Sequence, residues 1–390
     1  MPEAPLYEYA IIGAGVSGLT LAWLLADSSL AGRPVLLIDG ARDDDELRTL
    51  SFWSEGPIAL EPLVRHEWST LRLNAGAQAA GDAPLEGLRY RTLFFADLQR
   101  EAKAKLARRP ANLVINGRLT ALTQDDAGAT LSVGAQSYRA KWVFDSRLRV
   151  AALEVDAARW HLLHQHIHGW VVRAPRDAFE PAVATLLDFR AGDAPAGTSF
   201  FYVLPFSKRE ALVELVTLQP VEAEPLTRAY LARTYGLEEV ELLDREAGIS
   251  PMTEQPFPWR SGPRVRRLGA AAGLLKASTG YALTRILDDC ARVVRSLERD
   301  GHPFVRPAQS GFYRVLDGVL LELWRTRPEQ IPSIFAAMFL RNPAAAVLRF
   351  LDERASARDL LRLLFTLPWP PFLRAAFGWL RRRVSASGSR

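Results

Sequence analysis

Tyr9 to Asp39 restricts the folds open to this chain more than any other stretch. A short apolar run, Tyr9-Ala10-Ile11-Ile12, leads at once into Gly13-Ala14-Gly15-Val16-Ser17-Gly18. A helical pattern follows through Leu19, Leu21, Ala22, Leu24 and Leu25, and a second apolar run, Val35-Leu36-Leu37-Ile38, ends on Asp39. Strand, glycine turn, helix, strand and acid in this order predict a dinucleotide-binding βαβ unit. Gly13 permits the tight turn, Gly15 lets a pyrophosphate approach the backbone, and Gly18 lets the helix pack close to the strand. The helix N-terminus offers free N–H groups to the phosphates. Asp39 is placed to accept hydrogen bonds from ribose hydroxyls, which favours FAD or NAD over NADP. A glycine turn in an ordinary α/β fold would leave Asp39 and the three glycines without a role.

At 390 residues the chain has room for two domains, and its hydrophobic fraction of 48% is ordinary for a soluble protein. The formal net charge of +5 is not gathered into a Lys/Arg tract interleaved with aromatics, so no nucleic-acid partner is expected. Cys290 is the only cysteine, which excludes a disulfide framework and a CxxC metal site; it reads as a small buried hydrophobe. The N-terminus has no secretory pattern and the chain no apolar run long enough to span a bilayer. The expected location is the cytoplasmic side of a membrane, peripherally bound.

Four regions are expected: residues 1–150 and 261–300 for the cofactor, 151–260 for the substrate, and 301–390 as a helical cap that associates with membrane. Ala41 to Glu46 reads as an acidic loop, Arg48 to Trp53 as an aromatic-ended turn, and residues 58–75 as β or mixed. Thr92 to Leu106 has the periodicity of an amphipathic helix. Residues 111–145 read as a meander of Asn112–Ile115, Leu119–Thr123 and Thr130–Val133 running on to Tyr138–Val143. Residues 160–218 read as a second, mainly antiparallel sheet, with strands apolar on both faces. Glu222 to Leu243 reads as a charged helix, and Leu283 to Leu297 as a long helix after a Gly-rich turn. His161, His164, His166 and His168 invite a metal reading, but their spacing matches no standard ligand pattern and no metal is expected. In a strand, residues 164, 166 and 168 share one face, which could line a cavity.

Leu360 to Arg390 has no Asp or Glu and six Arg, with Phe365, Trp369, Phe372, Phe377 and Trp379 among them. Cationic heads around aromatic rings suit a helix lying in the bilayer interface. The alternative is a packed helix pair with a frayed end.

Further motifs occur in fixed order along most of the chain. They are Thr49-Leu50-Ser51-Phe52-Trp53, Phe144-Asp145-Ser146-Arg147, Gln165 with Gly169, and Leu187-Asp188-Phe189-Arg190. Phe201 to Ser207 follows, with Leu212-Val213-Glu214, and then Ser278-Thr279-Gly280-Tyr281 and Gly311 to Leu316. With the glycine fingerprint, this series resembles the flavin-dependent lycopene cyclases of bacteria and plants. Phe201 to Glu214 carries the most specific part of it. The resemblance implies an α/β fold: a Rossmann-type FAD-binding domain, an inserted mainly antiparallel substrate domain and a helical C-terminal region. It implies that Arg147, Thr279 and Gly280 join Gly13, Gly15, Gly18 and Asp39 in holding FAD. It also implies that reduced FAD is the active form, with NAD(P)H as reductant, and that lycopene is the substrate. Only one glycine fingerprint is present, so no separate nicotinamide domain is expected. The family usually follows its catalytic Glu with a second acid and Thr, where this chain has Leu215 and Val216. The ring type and the number of ends cyclised stay open.

Glu214 is also marked by its own surroundings. In an extended Ala211–Leu218 it shares a face with Leu212, Val216 and Leu218, so ionisation is costly and its pKa should rise. A protonated carboxyl in a dry cavity is a competent general acid. By the resemblance, Glu214 is expected to give a proton to a terminal double bond and to take the ring proton back. A redox flavoenzyme, a monooxygenase or prenyl reductase on an apolar substrate, would share the nucleotide fingerprint, and so would a non-catalytic carrier.

Overall fold

Strand Leu6–Ile12 runs into helix Val16–Ala26 and returns as strand Val35–Asp39, as the glycine fingerprint requires. The computed structural model describes residues 6–40, 47–75, 80–148, 150–192, 194–195 and 197–387; the acidic stretch Ala41 to Glu46 lies outside them. Parallel pairing continues from this unit to Leu113–Asn116 on one side, and to Gln136–Asp145 and Val265–Arg267 on the other. Leu6–Ile12 and Val35–Asp39 are buried along most of their length because both faces are covered. Ile11 and Leu37 pack under helices Val16–Ala26, Phe95–Ala107 and Leu283–Asp300. Ala10, Ile12, Leu36 and Ile38 pack against a meander of Leu119–Gln124, Ala129–Val133 and Gln136–Asp145. The stretch Asn112–Ile115, expected in that meander, is instead part of a parallel edge strand of the main sheet. Its Leu113, Val114 and Ile115 pair with Leu36, Leu37 and Ile38, and a local apolar run does not specify which strand it joins.

A buried ion pair ties the last parallel strand to the long helix. Arg266 donates to both carboxylate oxygens of Asp289 at 2.8 and 2.9 Å and to the Val305 carbonyl at 3.0 Å, with both side chains almost fully buried. Removing one partner strands the other charge, so Asp289→Ala is expected to cost about 3–5 kcal/mol. A thermal melt checks this, and an unchanged midpoint would contradict it.

The second sheet has seven strands, in the order Glu241–Met252, Leu163–Arg173, Glu210–Thr217, Ser199–Pro205, Val183–Asp188, Thr70–Asn74 and Ala80–Pro84. All neighbours are antiparallel except Val183–Asp188 with Thr70–Asn74. Helix Ala223–Tyr235 covers one face, where Tyr230 stacks on Phe201 with ring centroids 3.8 Å apart. The helix is shorter than its sequence suggests. Gly236 ends it in the left-handed conformation at φ +63°, and the chain re-enters the sheet at Glu241. The aromatic stretch after Arg48 is also a strand, Thr49–Ser54, paired with Arg89–Phe94; helix Phe95–Ala107 starts only after that partner.

The other face of the second sheet meets helices Gly311–Thr326, Ile331–Leu340 and Ala344–Leu351. Two more, Ala357–Thr366 and Trp369–Ser387, close the chain. The last packs on Gly311–Thr326 by close fit: a Cβ at Gly318 would lie 2.2 Å from Trp379 Nε1, and one at Gly378 2.8 Å from Glu322 Oε1.

Candidate active site

A cleft of about 410 Å³ opens where the glycine turn meets the C-terminal ends of the parallel strands. Gly13, Gly15, Asp39 and Arg147 line it, and Gly18 lies one turn behind. Gly13 has φ +94°. A Cβ at Gly18 would lie 2.1 Å from the Gly13 carbonyl oxygen, so strand and helix touch there. At Gly15 a Cβ would meet nothing within 4 Å. Gly15, which lines the cleft, caps the helix without a side-chain hydrogen bond, so the first N–H groups have no side-chain cap. Asp39 is buried, 3.2 Å from Lys103 Nζ, and Arg147 forms a two-point pair with Asp145 at 2.8 and 2.9 Å. Open backbone, a helix N-terminus and an acid at the second strand's end fit the pyrophosphate and ribose of FAD.

Thr279, Gly280 and Glu214 line a different cavity, of about 340 Å³, between the second sheet and the C-terminal helices. Val16, next to Gly15, also lines it, so the start of the first helix borders both cavities. Its walls are mostly apolar and aromatic, with Trp53, Phe200, Tyr202, Tyr281, Trp324 and Phe335 among them. Gly280 has φ +78°, and a Cβ there would lie 2.6 Å from Gln165 Oε1.

One row of the sheet gathers the polar groups. Tyr202 pairs with Glu214, Glu214 with Gly169, and Gly169 with Glu246, so four neighbouring strands contribute one residue each. Glu214 is 9% exposed. Burial pushes its carboxyl well above the usual carboxylate range, and the charge of Glu246 pushes the same way. Glu246 also lines the cavity. Burial raises it to about 7, against the pull of the Thr49 hydroxyl and N–H, which donate to Glu246 Oε2 at 2.8 and 3.1 Å, and of Arg48. The Tyr90 hydroxyl bonds those of Tyr202 and Tyr281, the latter at 2.8 Å, and burial keeps all three phenols protonated. The sequence gives no sign of Glu246: only strand register shows that it faces Gly169.

The histidines fall elsewhere. Gln165 and Ile167 line the cavity, so His164, His166 and His168, one residue out of phase, lie on the other face of their strand. This corrects the expectation that they line a cavity. His161 is buried between two carboxylates, with Nδ1 3.0 Å from Glu254 and Nε2 2.8 Å from Glu322. Among the described residues no group of three or more His, Cys, Asp or Glu side chains could hold a metal ion. Asp188 is fully buried and occupied structurally: Asn74, Tyr230 and Arg190 all donate to it.

A family model described as lycopene cyclase protein matches residues 8–377. The chain belongs to the lycopene cyclase family. A comparison with curated protein sequences finds no match. Among solved structures it is similar to a geranylgeranyl bacteriochlorophyll reductase-like protein from Thermoplasma acidophilum, with 13% identity, a TM-score of 0.59, and 95% of this chain and 98% of that one covered. It is similar to a flavoprotein/dehydrogenase from Cytophaga hutchinsonii, at 11% identity and a TM-score of 0.62 over 89% and 92% of the two chains. A third is p-nitrophenol 4-monooxygenase from Pseudomonas putida, at 14% identity and a TM-score of 0.57 over 98% and 99%. The fold is that of these flavoproteins. Leu215 and Val216 follow Glu214 on its strand. Leu215 is fully buried in the cluster that holds Phe201 and Tyr230, and Val216 lines the cavity.

Proposed function

We propose that this protein is a lycopene β-cyclase, closing linear ends of lycopene into β-ionone rings with FAD bound and no net redox change. The observation that carries this reading is Glu214: a carboxyl on the wall of an apolar cavity, with no cationic partner among the described residues and with burial favouring its protonated form. Such a group is a general acid for a substrate that offers only carbon–carbon double bonds. Glu214 gives its proton to the terminal alkene, and the tertiary carbocation closes onto the neighbouring double bond. Loss of a ring proton completes the ring. Trp53, Tyr202 and Tyr281 line the same cavity, and an aromatic ring presented by its face favours positive charge. The apolar walls keep out water that would trap the cation. Gly13, Gly15, Gly18, Asp39 and Arg147 would hold the nucleotide half of FAD, and Thr279 and Gly280 would border the ring. Reduced FAD, with NAD(P)H as its reductant, supplies an electron-rich ring that stabilises positive charge electrostatically.

Expression in a lycopene-accumulating bacterial host, with chromatography and mass detection of the pigments, tests the reading. Cyclic carotenoids isomeric with lycopene are expected; unchanged lycopene would overturn it. Lycopene and its rings are isomers, so NAD(P)H is not consumed in proportion to product. The rival class, a monooxygenase or prenyl reductase, would consume it stoichiometrically.

We further propose that the protein takes its substrate from a membrane surface. No described helix is long and apolar enough to cross a bilayer. However, Trp369, Leu373, Phe377, Leu380 and Val384 recur at helical spacing and are exposed, with Leu373 60% and Phe377 67% accessible. Arg374, Arg381 and Arg382 flank them along a cleft beside Arg325. Apolar stripe plus cationic flank is the pattern of an interfacial helix on anionic lipid. Leu373→Asp combined with Phe377→Asp is expected to abolish co-flotation with anionic vesicles while the melting temperature holds. Unchanged flotation would make this helix ordinary packing.

A further inference from the structure

Glu246 lies one strand beyond Gly169, which itself faces Glu214, and both carboxyls line one cavity. Gly169 makes the arrangement possible. A Cβ there would lie 3.3 Å from Glu246 Cγ and 3.0 Å from Leu212 Cδ1, so the missing side chain leaves the room over which Glu246 leans. The two acids differ in what holds them. Among the described residues none donates a hydrogen bond to the Glu214 carboxyl, whereas Glu246 accepts two from Thr49 and has Arg48 nearby. Donors stabilise an ionised carboxylate, and an apolar wall stabilises a neutral acid.

We infer that Glu246 is a second catalytic carboxyl, the base that accepts the ring proton, while Glu214 is the acid that starts the reaction. This rests on the cyclase reading above and divides between two residues the donor and acceptor roles that the sequence placed on Glu214 alone. The cycle balances. The Glu214 O–H bond breaks, its proton forms a C–H bond at the terminal alkene, and Glu214 is left ionised. Ring closure forms a C–C bond and moves the positive charge into the ring. A ring C–H bond then breaks, its electron pair becomes the ring double bond, and the proton passes to the Glu246 carboxylate. Transfer of that proton from Glu246 to Glu214 across Gly169 restores the starting state, with no proton or electron consumed. Two nearby carboxyls with opposite environments commonly divide acid and base work in this way. Their mutual repulsion also favours one shared proton over two charges.

The pH dependence follows from the same groups. Glu246 has Thr49 of strand Thr49–Ser54 and the preceding Arg48 on one side, Asp244 on its own strand, and Glu214 across Gly169. Burial holds it at about 7. The base works ionised, so turnover rises with pH through that region; it falls again at higher pH, as Glu214 loses its proton. Thr49→Val removes one donor and is expected to move the low-pH limb upward while the high-pH limb stays.

The test uses the purified full chain with reduced FAD and lycopene in detergent or vesicles. Glu246→Gln is expected to lower kcat at least about 100-fold, at the level of a lost general base, with KM and flavin binding held. Glu246→Asp should recover part of the rate. The Glu214→Gln, Glu246→Gln double variant should be no slower than the worse single variant, because the two residues act as a unit. Near-normal kcat in Glu246→Gln, beside a dead Glu214→Gln, would return both roles to Glu214 and overturn the proposal while leaving the cyclase reading intact. A wild-type protein that forms no ring would defeat the cyclase reading itself. If Glu246→Gln does not retain flavin, the shift of the low-pH limb in Thr49→Val decides, and an unmoved limb overturns the proposal.

Discussion

Glu214→Gln should yield a protein that folds, binds flavin and forms no rings. The amide keeps the size and most of the hydrogen-bonding capacity of the acid, but it has no proton to give to an alkene. General acid–base residues contribute about 10²–10⁴-fold, so the rate of cyclisation should fall by two orders of magnitude or more. Burial of an unpaired carboxyl costs stability, and replacing it by a neutral amide should leave the melting temperature level or slightly higher. Loss of activity with gain of stability would separate a chemical role from a structural one. Glu214→Asp keeps the acid and shortens its reach, and partial turnover is expected. Glu210 is the control. It lies at the start of the same strand, ion-paired to Arg173 at 2.8 Å, and Glu210→Gln should be tolerated. Asp188 is a weaker substitute for Glu214 than its neighbouring sequence suggests. Three donors hold it in place, and Leu186 and Leu187, not Asp188, face the cavity. Near-normal turnover in Glu214→Gln would therefore move the search for the acid to Glu246.

What the sequence reveals about this site follows the range of the interactions involved. The glycine turn and its strands are local: a tight turn, a close helix approach and an acid at a strand end leave their marks within a few dozen residues. Glu214 is legible for a similar reason, because it is the one charged residue in the apolar run Ala211–Leu218. Glu246 is not. Its strand, Glu241–Met252, begins inside the stretch Glu222 to Leu243 that reads as a charged helix, and its polar residues up to Glu246 carry no alternation that marks a strand. Its partner Thr49 lies almost two hundred residues earlier, in a stretch read as a turn. The histidines show the complementary failure. Period-two alternation correctly puts three of them on one face, but alternation alone does not say which face meets the cavity, and Gln165 and Ile167 hold that side. The edge strand Leu113–Asn116 fails in the same way, its type legible and its partner not.

The second large effect is expected at the glycine turn, where two substitutions of the same size should part company. Gly18→Ala puts a methyl 2.1 Å from the Gly13 carbonyl oxygen, a backbone atom that already accepts from Ser146 Oγ at 2.9 Å. Neither side has a flexible end that could give way. The helix must lift from the strand, at an overpacking cost of about 1–3 kcal/mol, and its N-terminal N–H groups move off the cleft. Both the melting temperature and flavin affinity should fall. Gly15→Ala adds the same methyl where nothing lies within 4 Å. The flavin-free protein should therefore melt as the wild type does. If the open space at Gly15 is where the pyrophosphate meets the backbone, the methyl occupies the ligand's place, and flavin affinity should drop at least about tenfold, or roughly 1.4 kcal/mol. Titration with FAD followed by flavin fluorescence, beside a thermal melt of each apo-protein, reads both quantities. Wild-type affinity in Gly15→Ala would mean that the cleft binds its nucleotide elsewhere. An unchanged melt in Gly18→Ala would mean that the strand and helix are not in contact at that turn.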